Sequence, residues 1–291
     1  MMQPFGYYEP SSLDEALSLL AEHRERARLL AGGTDLFIRM RTGVLRPGML
    51  VDLKRVRELD GVRESEAGGL RIGALTPHSE VESSEAVRVR YPALAAAARW
   101  VAGAQIRNRG TVGGNLCNAS PAADLAPPLL AFGARVRIAG AGWDREVPLE
   151  VFFVGPGRTV LAPDEILTEI LLPPPAPWTG SDFQRAIRTA VDIALVNVAV
   201  ALTLEAGDGQ CRDVRIALGA VAPTPMPARQ AAAALRGQRL SPERIADAAR
   251  TAAAEAQPIS DVRASAEYRR DQVEVLTARA LARAWEAARS R

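Results

Sequence analysis

Cysteine is scarce in this chain, since the 291 residues include only Cys117 and Cys211. The two lie far apart in the sequence, and neither has a second cysteine at CxxC spacing. A disulfide framework, a zinc site or an iron–sulfur cluster needs several such ligands. The sequence therefore predicts none of these on this chain and no other metal site, and it favours the reducing cytoplasm as the compartment.

Long hydrophobic runs are also missing. A membrane-spanning helix needs about 18 or more apolar residues in succession, whereas the longest apolar run, residues 193–204, is interrupted by Asn197. The beginning of the chain has neither the basic start nor the apolar stretch of a secretory signal. We expect a protein that has no membrane span and is not exported.

Lysine occurs once, at Lys54, and every other basic side chain apart from the two histidines is an arginine. These arginines are spread along the whole chain and the formal net charge is only +2, whereas a nucleic-acid surface needs a clustered basic stripe. The motifs GxxxxGK[ST] and GxGxxG are absent as well. The sequence thus argues against nucleic acid as a partner and excludes both the P-loop and the Rossmann way of holding a nucleotide.

The composition that remains is that of an ordinary globular protein, with 48% hydrophobic and 24% charged residues. At roughly 100–200 residues per domain, this length allows two domains. Residues 173–177 include four prolines and cannot continue a helix or a central strand, so they predict a stiff extended linker. We predict an α+β protein with one domain over residues 1–176 and a second over residues 177–291.

Local patterns predict most of the helices and strands. Ser12 and Glu15 form a capping box before a leucine stripe, which predicts a helix over residues 12–23. Short apolar runs that end at turns predict strands, and apolar residues at helical spacing predict further helices. The predicted strands span residues 28–31, 50–53, 70–74, 196–205 and 211–221, the last two as a hairpin around residues 207–210. The further helices span residues 92–101, 226–236, 242–256 and 266–288, while residues 105–124 look too irregular for either element.

Two glycine pairs stand beside hydroxyl, carboxylate or amide side chains, in residues 31–36 (AGGTDL) and residues 111–115 (TVGGN). Glycines let the main chain approach an anion closely, and Thr34, Thr111 and Asn115 would add donors. A simple turn would explain either pair alone. It does not explain why so many small polar side chains crowd into one loop. We therefore expect both segments to offer main-chain N–H groups to one diphosphate.

These segments also carry a resemblance to a known family. Residues 105–131 (QIRNRGTVGGNLCNASPAADLAPPLLA), residues 31–36, the motif from Ile72 to His78 and the opening residues 5–17 resemble the FAD-binding medium subunit of the molybdenum hydroxylases. This group contains carbon monoxide dehydrogenase and xanthine dehydrogenase. The resemblance covers nearly the whole chain and implies a two-subdomain FAD-binding domain of the PCMH/vanillyl-alcohol-oxidase type, divided near residue 55, followed by a carboxy-terminal sheet with helices.

The resemblance also implies which residues bind FAD. The segments around the two glycine pairs would surround the diphosphate and ribityl regions, Val101 and Ala102 would lie near the isoalloxazine, and Asp124 would bind the adenosine end. Asp124 is also expected to begin a helix at Leu125. An arginine before residues 192–194 (DIA) would approach the flavin; Arg185 and Arg188 both fit, and Arg185 is favoured. The complete predicted set is Ala31, Gly32, Gly33, Thr34, Asp35, Leu36, Val101, Ala102, Thr111, Gly113, Gly114, Asn115, Ser120, Asp124 and Arg185.

Three other residues could carry chemistry but are predicted to be structural. His78 is expected to be a hydrogen-bonded structural group. Cys117 has no second cysteine or cationic pair beside it and is expected to be a small buried hydrophobe. Trp100 stands at helical spacing from Leu94 and Ala97, which favours a place in the core over stacking on a ring. The sequence therefore predicts no catalytic residue on this chain.

The function implied by the resemblance is that of an oxidoreductase subunit. FAD on this chain would accept electrons from [2Fe–2S] centres on a small partner subunit, and a large partner subunit would carry the molybdenum cofactor, in a dimer of heterotrimers. Two alternatives are a self-contained FAD-dependent reductase of the same fold and an interaction subunit that has lost its flavin. The intact glycine segments argue against the second alternative, and the carboxy-terminal sequence argues against the first.

Overall fold

A computed structural model describes residues 3–206 and 209–290. Its first part is a small parallel sheet with strand order β1-β3-β2, formed by β1 (Gly6–Tyr8), β2 (Ala27–Leu30) and β3 (Met49–Asp52). Helix α1 (Leu13–His23) connects β1 to β2, and α2 (Leu36–Arg41) follows β2. The Ser12 hydroxyl accepts the Glu15 N–H, and α1 buries its leucine stripe, which confirms the predicted capped helix.

The second part is an antiparallel sheet of five strands with the order β4-β5-β10-β6-β7. Its strands are β4 (Val62–Glu64), β5 (Leu70–Gly73), β6 (Arg135–Gly140), β7 (Trp143–Pro148) and β10 (Ile166–Leu172), and β8 (Phe153–Gly155) pairs separately with β9 (Arg158–Thr159). Between β5 and β6 lie α3 (His78–Ser83), α4 (Glu85–Arg90), α5 (Pro92–Trp100), α6 (Ala104–Arg107), α7 (Val112–Asn118) and α8 (Ala126–Ala131).

The carboxy-terminal part is an antiparallel sheet of β11 (Thr179–Ala186), β12 (Val196–Leu204), β13 (Cys211–Gly219) and β14 (Met226–Pro227). Helices α9 (Arg229–Leu235), α10 (Pro242–Glu255) and α11 (Ala266–Arg289) pack with this sheet in one apolar cluster. A side chain at Gly180 would collide with the backbone of α11. That glycine lets the longest helix lie directly on β11.

The largest apolar cluster joins the second part to the third. It packs α5, α7 and α8 with the five-stranded sheet and includes Phe183, Ala199 and Ala217 of the carboxy-terminal sheet. The buried leucines and alanines of this cluster remove a large apolar area from water. Helix α7, which carries the second glycine segment, is therefore packed into this shared cluster.

Two predicted elements are wrong. Residues 105–124 are not irregular throughout, because they contain most of α6 and the whole of α7. The predicted helix over residues 226–236 begins instead at Arg229, since Met226 and Pro227 pair with β13. The hairpin of β12 and β13 is confirmed, although residues 207 and 208 of its turn lie outside the described residues. The domain division at residue 176, which falls between β10 and β11, stays a prediction, as does the subdomain division near residue 55.

The part of the chain that the structure describes has no helix long and apolar enough to cross a membrane. It also brings together no group of three histidine, cysteine or acidic side chains that could hold a metal ion.

Candidate functional site

The structure places the two glycine segments against each other. The first is the turn between β2 and α2, and the second leads into α7. A Cβ atom added to Gly32 would lie 2.7 Å from the carbonyl carbon of Arg109 and 2.9 Å from the Cα of Gly110. Backbone therefore touches backbone here, and only glycine allows the contact. Seventy-seven positions apart in sequence, Gly32 and Arg109 are neighbours in one site.

The second segment is also held against the end of β5. The N–H groups of Val112 and Gly113 donate to the carbonyls of Thr76 and Ala74 at 3.0 and 2.9 Å. The Thr111 hydroxyl accepts the Gly114 N–H at 3.1 Å, and the Asn115 N–H donates to the Thr111 carbonyl. The expected main-chain donors of Gly113–Asn115 are thus already engaged within the protein. What this segment offers a ligand is a close backbone approach and the side chains of Thr111 and Asn115.

The first segment, in contrast, leaves its donors free. The N–H groups of Gly33, Thr34, Asp35 and Leu36 have no acceptor among the described residues, and Gly33 has a φ of 74°, a left-handed conformation that favours glycine. Four successive unpaired N–H groups form a concave donor surface of the kind that binds phosphate. Free main-chain donors were predicted for both glycine segments, and only the first segment has them.

An unpaired acceptor completes this part of the site. The Oδ1 atom of Asn115 is buried and has no hydrogen-bond partner among the described residues. Buried polar atoms are normally paired, so an orphaned one calls for an explanation such as a ligand. A nucleotide with a polyol chain fits both needs, because its diphosphate accepts from N–H groups and its hydroxyls donate to a carbonyl oxygen. The residues present therefore fit the FAD that the resemblance implies.

Val101 and Ala102 lie just beyond α5, and two arginines fix their backbone. Arg107 donates to the carbonyls of Val101 and Ala102 at 3.4 and 3.0 Å, and Arg185 donates to the carbonyl of Trp100 at 2.6 Å. Ala102 has a φ of 42°, in the left-handed region that residues with a side chain rarely adopt. This segment is therefore held in an unusual conformation by charged donors from α6 and β11.

Asp124 and Arg185 form a buried pair next to this segment. The guanidinium Nε of Arg185 lies 3.2 Å from Oδ1 of Asp124 in an ion pair that lacks hydrogen-bond geometry. The same Oδ1 atom accepts a hydrogen bond from the side-chain amide of Asn197 at 3.0 Å. Burial raises the pKa of Asp124 to about 6, against the opposing effects of Arg185 and Asn197. The prediction that Asp124 begins a helix is wrong, because α8 begins at Ala126 and Leu125 takes the capping position. Its side chain points into the protein instead.

The structure separates the two candidate arginines. Arg185 has only 3% of its side chain exposed and, besides the Trp100 contact, donates to the carbonyl of Asp192. Arg188 is half exposed and forms an ion pair with the carboxylate of Asp192 at 2.8 Å. Arg185 therefore belongs to the cluster around Val101 and Ala102, whereas Arg188 belongs to a surface turn.

Of the other predicted residues, Ser120 belongs to the turn that follows α7, where its hydroxyl accepts the Ala122 N–H at 3.3 Å. Trp100 is not part of the core, since 44% of its surface is exposed. His78 is buried beneath Gly110, but the prediction that it is hydrogen-bonded is wrong, because its Nδ1 is buried without a partner among the described residues. Burial, and to a smaller extent the nearby Arg107, lowers the pKa of His78 to about 4. Cys117 packs against the core, and burial raises its pKa to about 12, which matches the predicted inert role.

Sequence reasoning missed two residues of the site. Arg107 was seen only as part of a motif, and Asn197 only as an interruption of an apolar run. A fully buried asparagine in the middle of an apolar strand needs a polar partner, and that signal was available in the sequence.

Two glycine turns meet between two sheets. One turn has free N–H donors and the other has an unpaired amide oxygen. These features define the class of the protein as one that binds a nucleotide-type cofactor. Comparison with known proteins narrows the class. A family described as "FAD binding domain in molybdopterin dehydrogenase" matches residues 3–175, and one described as "CO dehydrogenase flavoprotein C-terminal domain" matches residues 181–284. The chain belongs to this molybdopterin dehydrogenase FAD-binding family.

Individual relatives agree over almost the whole length. The xanthine dehydrogenase FAD-binding subunit of Escherichia coli O157:H7 is 35% identical over 285 residues, covering 97% of each chain. The carbon monoxide dehydrogenase medium chain of Hydrogenophaga pseudoflava is 35% identical and also covers 97% of each. Among solved structures, carbon monoxide dehydrogenase from the same organism matches with a TM-score of 0.95 at 36% identity, and quinoline 2-oxidoreductase from Pseudomonas putida 86 with 0.92 at 32%. Both matches cover 99% of each chain. The predicted family and fold class are confirmed.

Proposed function

We propose that this chain binds FAD across its paired glycine turns and serves as the electron-transfer flavoprotein subunit of a molybdenum hydroxylase complex. One observation carries the proposal: Gly32 lies in backbone contact with Arg109 and Gly110, which brings the turn with free N–H groups next to the segment that carries the unpaired amide oxygen of Asn115. FAD supplies the redox chemistry when bound, and the protein supplies binding, orientation and electrostatic tuning.

Each part of the site has a defined task. The N–H groups of residues 33–36 would donate to the diphosphate. The side chains of Thr111 and Asn115 would bind hydroxyl groups of the cofactor, and Ser120 would lie beside it. Arg185 and the backbone at Val101 and Ala102 would border the isoalloxazine. Because Asp124 lies 3.2 Å from Arg185, it would belong to the same end of the cofactor rather than to the adenosine end. No step requires a general acid or base from this chain, in keeping with a subunit that relays electrons.

Electrons must enter from a partner. The two cysteines are too few to ligate an iron–sulfur cluster, and no metal-binding group was found in the described residues. We assign the [2Fe–2S] centres to a small partner subunit and the molybdenum cofactor to a large one. A heterotrimer that pairs into a dimer of heterotrimers, working in the cytoplasm, fits this division, and relatives are named as chains or subunits of dehydrogenases.

Rapid mixing tests the proposal. The purified chain should show flavin absorbance, and its flavin should stay oxidised when xanthine or carbon monoxide, the substrates named for relatives, is added alone. In the complex isolated with its partner subunits, the flavin should bleach when the substrate that the complex oxidises is added. Reduction of the isolated chain by such a substrate would show a catalytic site on this chain and would contradict the proposal.

The alternatives give different results in the same preparation. A self-contained reductase would oxidise a nicotinamide with a sugar-nucleotide acceptor and no partner subunits. An interaction subunit without flavin would show no flavin absorbance even after incubation with FAD. Neither alternative has support in the structure, because the donor turn is intact and each family description covers its own part of the chain.

A further inference from the structure

Three successive carbonyl groups, from the last residue of α5 onward, are bound by two arginine side chains. Trp100 accepts from Arg185, and both Val101 and Ala102 accept from the Nη1 of Arg107. Arg107 is itself oriented by Glu82 of α3, whose Oε2 accepts from its Nε at 2.9 Å. Only 18% of the Arg107 side chain is exposed. A planar guanidinium with donors in a fixed fork can make these contacts together, which a lysine could not.

The peptide group explains what this arrangement achieves. In a planar trans peptide, the carbonyl of one residue points opposite to the N–H of the next. Because the carbonyls of Val101 and Ala102 point toward Arg107, the N–H groups of Ala102 and Gly103 point away from it. Neither N–H has an acceptor among the described residues. The structure thus presents two adjacent unpaired donors on the side opposite to the guanidinium.

The conformation of Ala102 shows that this orientation is imposed. Its φ of 42° is unfavourable for a residue with a Cβ atom, and such conformations persist only where surrounding contacts determine them. Arg107 supplies those contacts, and Glu82 fixes Arg107. Without the guanidinium, the segment would be free to relax toward an ordinary extended or helical backbone.

Given the proposed function, we propose that Arg107, oriented by Glu82, is a positioning residue that aims the N–H groups of Ala102 and Gly103 at the acceptor edge of the flavin ring. Arg107 itself does not contact the cofactor; it acts through the backbone of residues 101–103. Hydrogen bonds to the ring are a known way for a protein to tune flavin electronics. Donors at this edge stabilise the electron-rich reduced ring, so they raise its reduction potential.

Four variants of the full chain separate this role from general stability. Arg107→Gln removes the charged donor, and Arg107→Lys keeps the charge without the fork. Glu82→Gln keeps the arginine but loosens its orientation. Arg88→Gln removes an exposed arginine from α4 and is the matched control.

Two readouts apply to every variant that binds FAD. Spectroelectrochemistry should give a lower flavin reduction potential for Arg107→Gln than for the wild type. The potentials of Arg107→Lys and Glu82→Gln should be lowered less, and that of Arg88→Gln should be unchanged. Hydrogen exchange should show that FAD slows the amides of Ala102 and Gly103 at least about tenfold in the wild type, and that this protection is lost in Arg107→Gln. A loss of packing alone would not move the potential of bound flavin in this graded order.

The failures are distinguishable. If the wild-type chain binds no FAD, the proposed function fails and this inference fails with it. If the wild-type chain binds FAD but Arg107→Gln has an unchanged potential and unchanged protection at residues 102 and 103, only the positioning role of Arg107 is refuted. If Arg107→Gln does not fold, the contrast between Glu82→Gln and Arg88→Gln decides in the same way.

Discussion

Replacing Gly32 by alanine tests whether FAD binding depends on the contact between the two turns. The added Cβ would lie 2.7 Å from the carbonyl carbon of Arg109, whereas carbon atoms at optimal separation are about 3.5–4.0 Å apart. The carbonyl oxygen of Arg109 would lie closer still, so the two turns must move apart by more than about 1 Å. The neighbouring atoms are backbone atoms of a segment that Gly113 anchors to β5 through the Ala74 carbonyl, so a side-chain rotation cannot relieve the collision.

The expected cost divides into stability and binding. Overpacking of this kind typically costs about 1–3 kcal/mol of unfolding free energy. Misplaced N–H donors that lose two charge-assisted hydrogen bonds to the diphosphate, at about 1.5–3 kcal/mol each, weaken FAD binding by at least about 100-fold. Gly32→Ala should therefore fold at low temperature and fail to retain flavin.

The assay is a titration of the flavin-free chain with FAD, followed by the change in flavin fluorescence, at a temperature where denaturant unfolding shows the variant to be folded. Gly155→Ala is the control, because an added Cβ there meets no atom within 4 Å and the backbone conformation is an ordinary one. This control should bind FAD as the wild type does. Wild-type affinity in a folded Gly32→Ala chain would refute the idea that the paired turns form the cofactor site.

Two further predictions follow from the buried titratable groups. The pKa of Asp124 is raised to about 6 in the folded chain, above about 3.9 in the unfolded chain, so its contribution to stability is largest at low pH and is lost as the pH rises through 6. Between pH 8 and pH 5 the unfolding free energy of the wild type should rise by about 1 kcal/mol relative to Asp124→Asn, measured by urea denaturation; parallel pH profiles for the two chains would refute the raised pKa. Burial also raises the pKa of Cys117 and Cys211 to about 12, so neither thiol should react with iodoacetamide at pH 8 until the chain is unfolded. Mass spectrometry would show the adducts, and rapid labelling of the native chain at Cys117 would argue against its inert role.

Much of the local structure was readable from short stretches of sequence. The helix after Ser12 follows from a cap and a leucine stripe, and the hairpin of β12 and β13 from two apolar runs around a glycine-rich turn. The interactions behind these patterns join residues close together in the sequence, so the sequence alone predicts them. Where a tertiary pairing competed with a local pattern, as at Met226 and Pro227, the local pattern gave the wrong element.

The sequence named candidate members of the site but not their arrangement. That the glycine segments and Arg185 bind FAD stays a prediction; the structure places Gly32 against Arg109 and Arg185 against the Trp100 carbonyl. The exposure of Trp100 was not foreseen, because helical spacing shows which residues share a face but not whether another element covers that face. The role of Arg107 was missed because its carbonyl partners depend on the backbone conformation of a turn, which no sequence motif indicates.

By itself, the sequence determined the scarcity of cysteine ligands, the absence of a long apolar span, the two glycine segments and the membership of the family. Only the tertiary structure decided that Gly32 touches Arg109, that the donors of residues 113–115 are already used while those of residues 33–36 are free, and that Asp124 faces Arg185 and Asn197. The reason is physical: a residue type sets what a group can donate or accept, but burial and the nearest partner depend on chain segments far away in sequence.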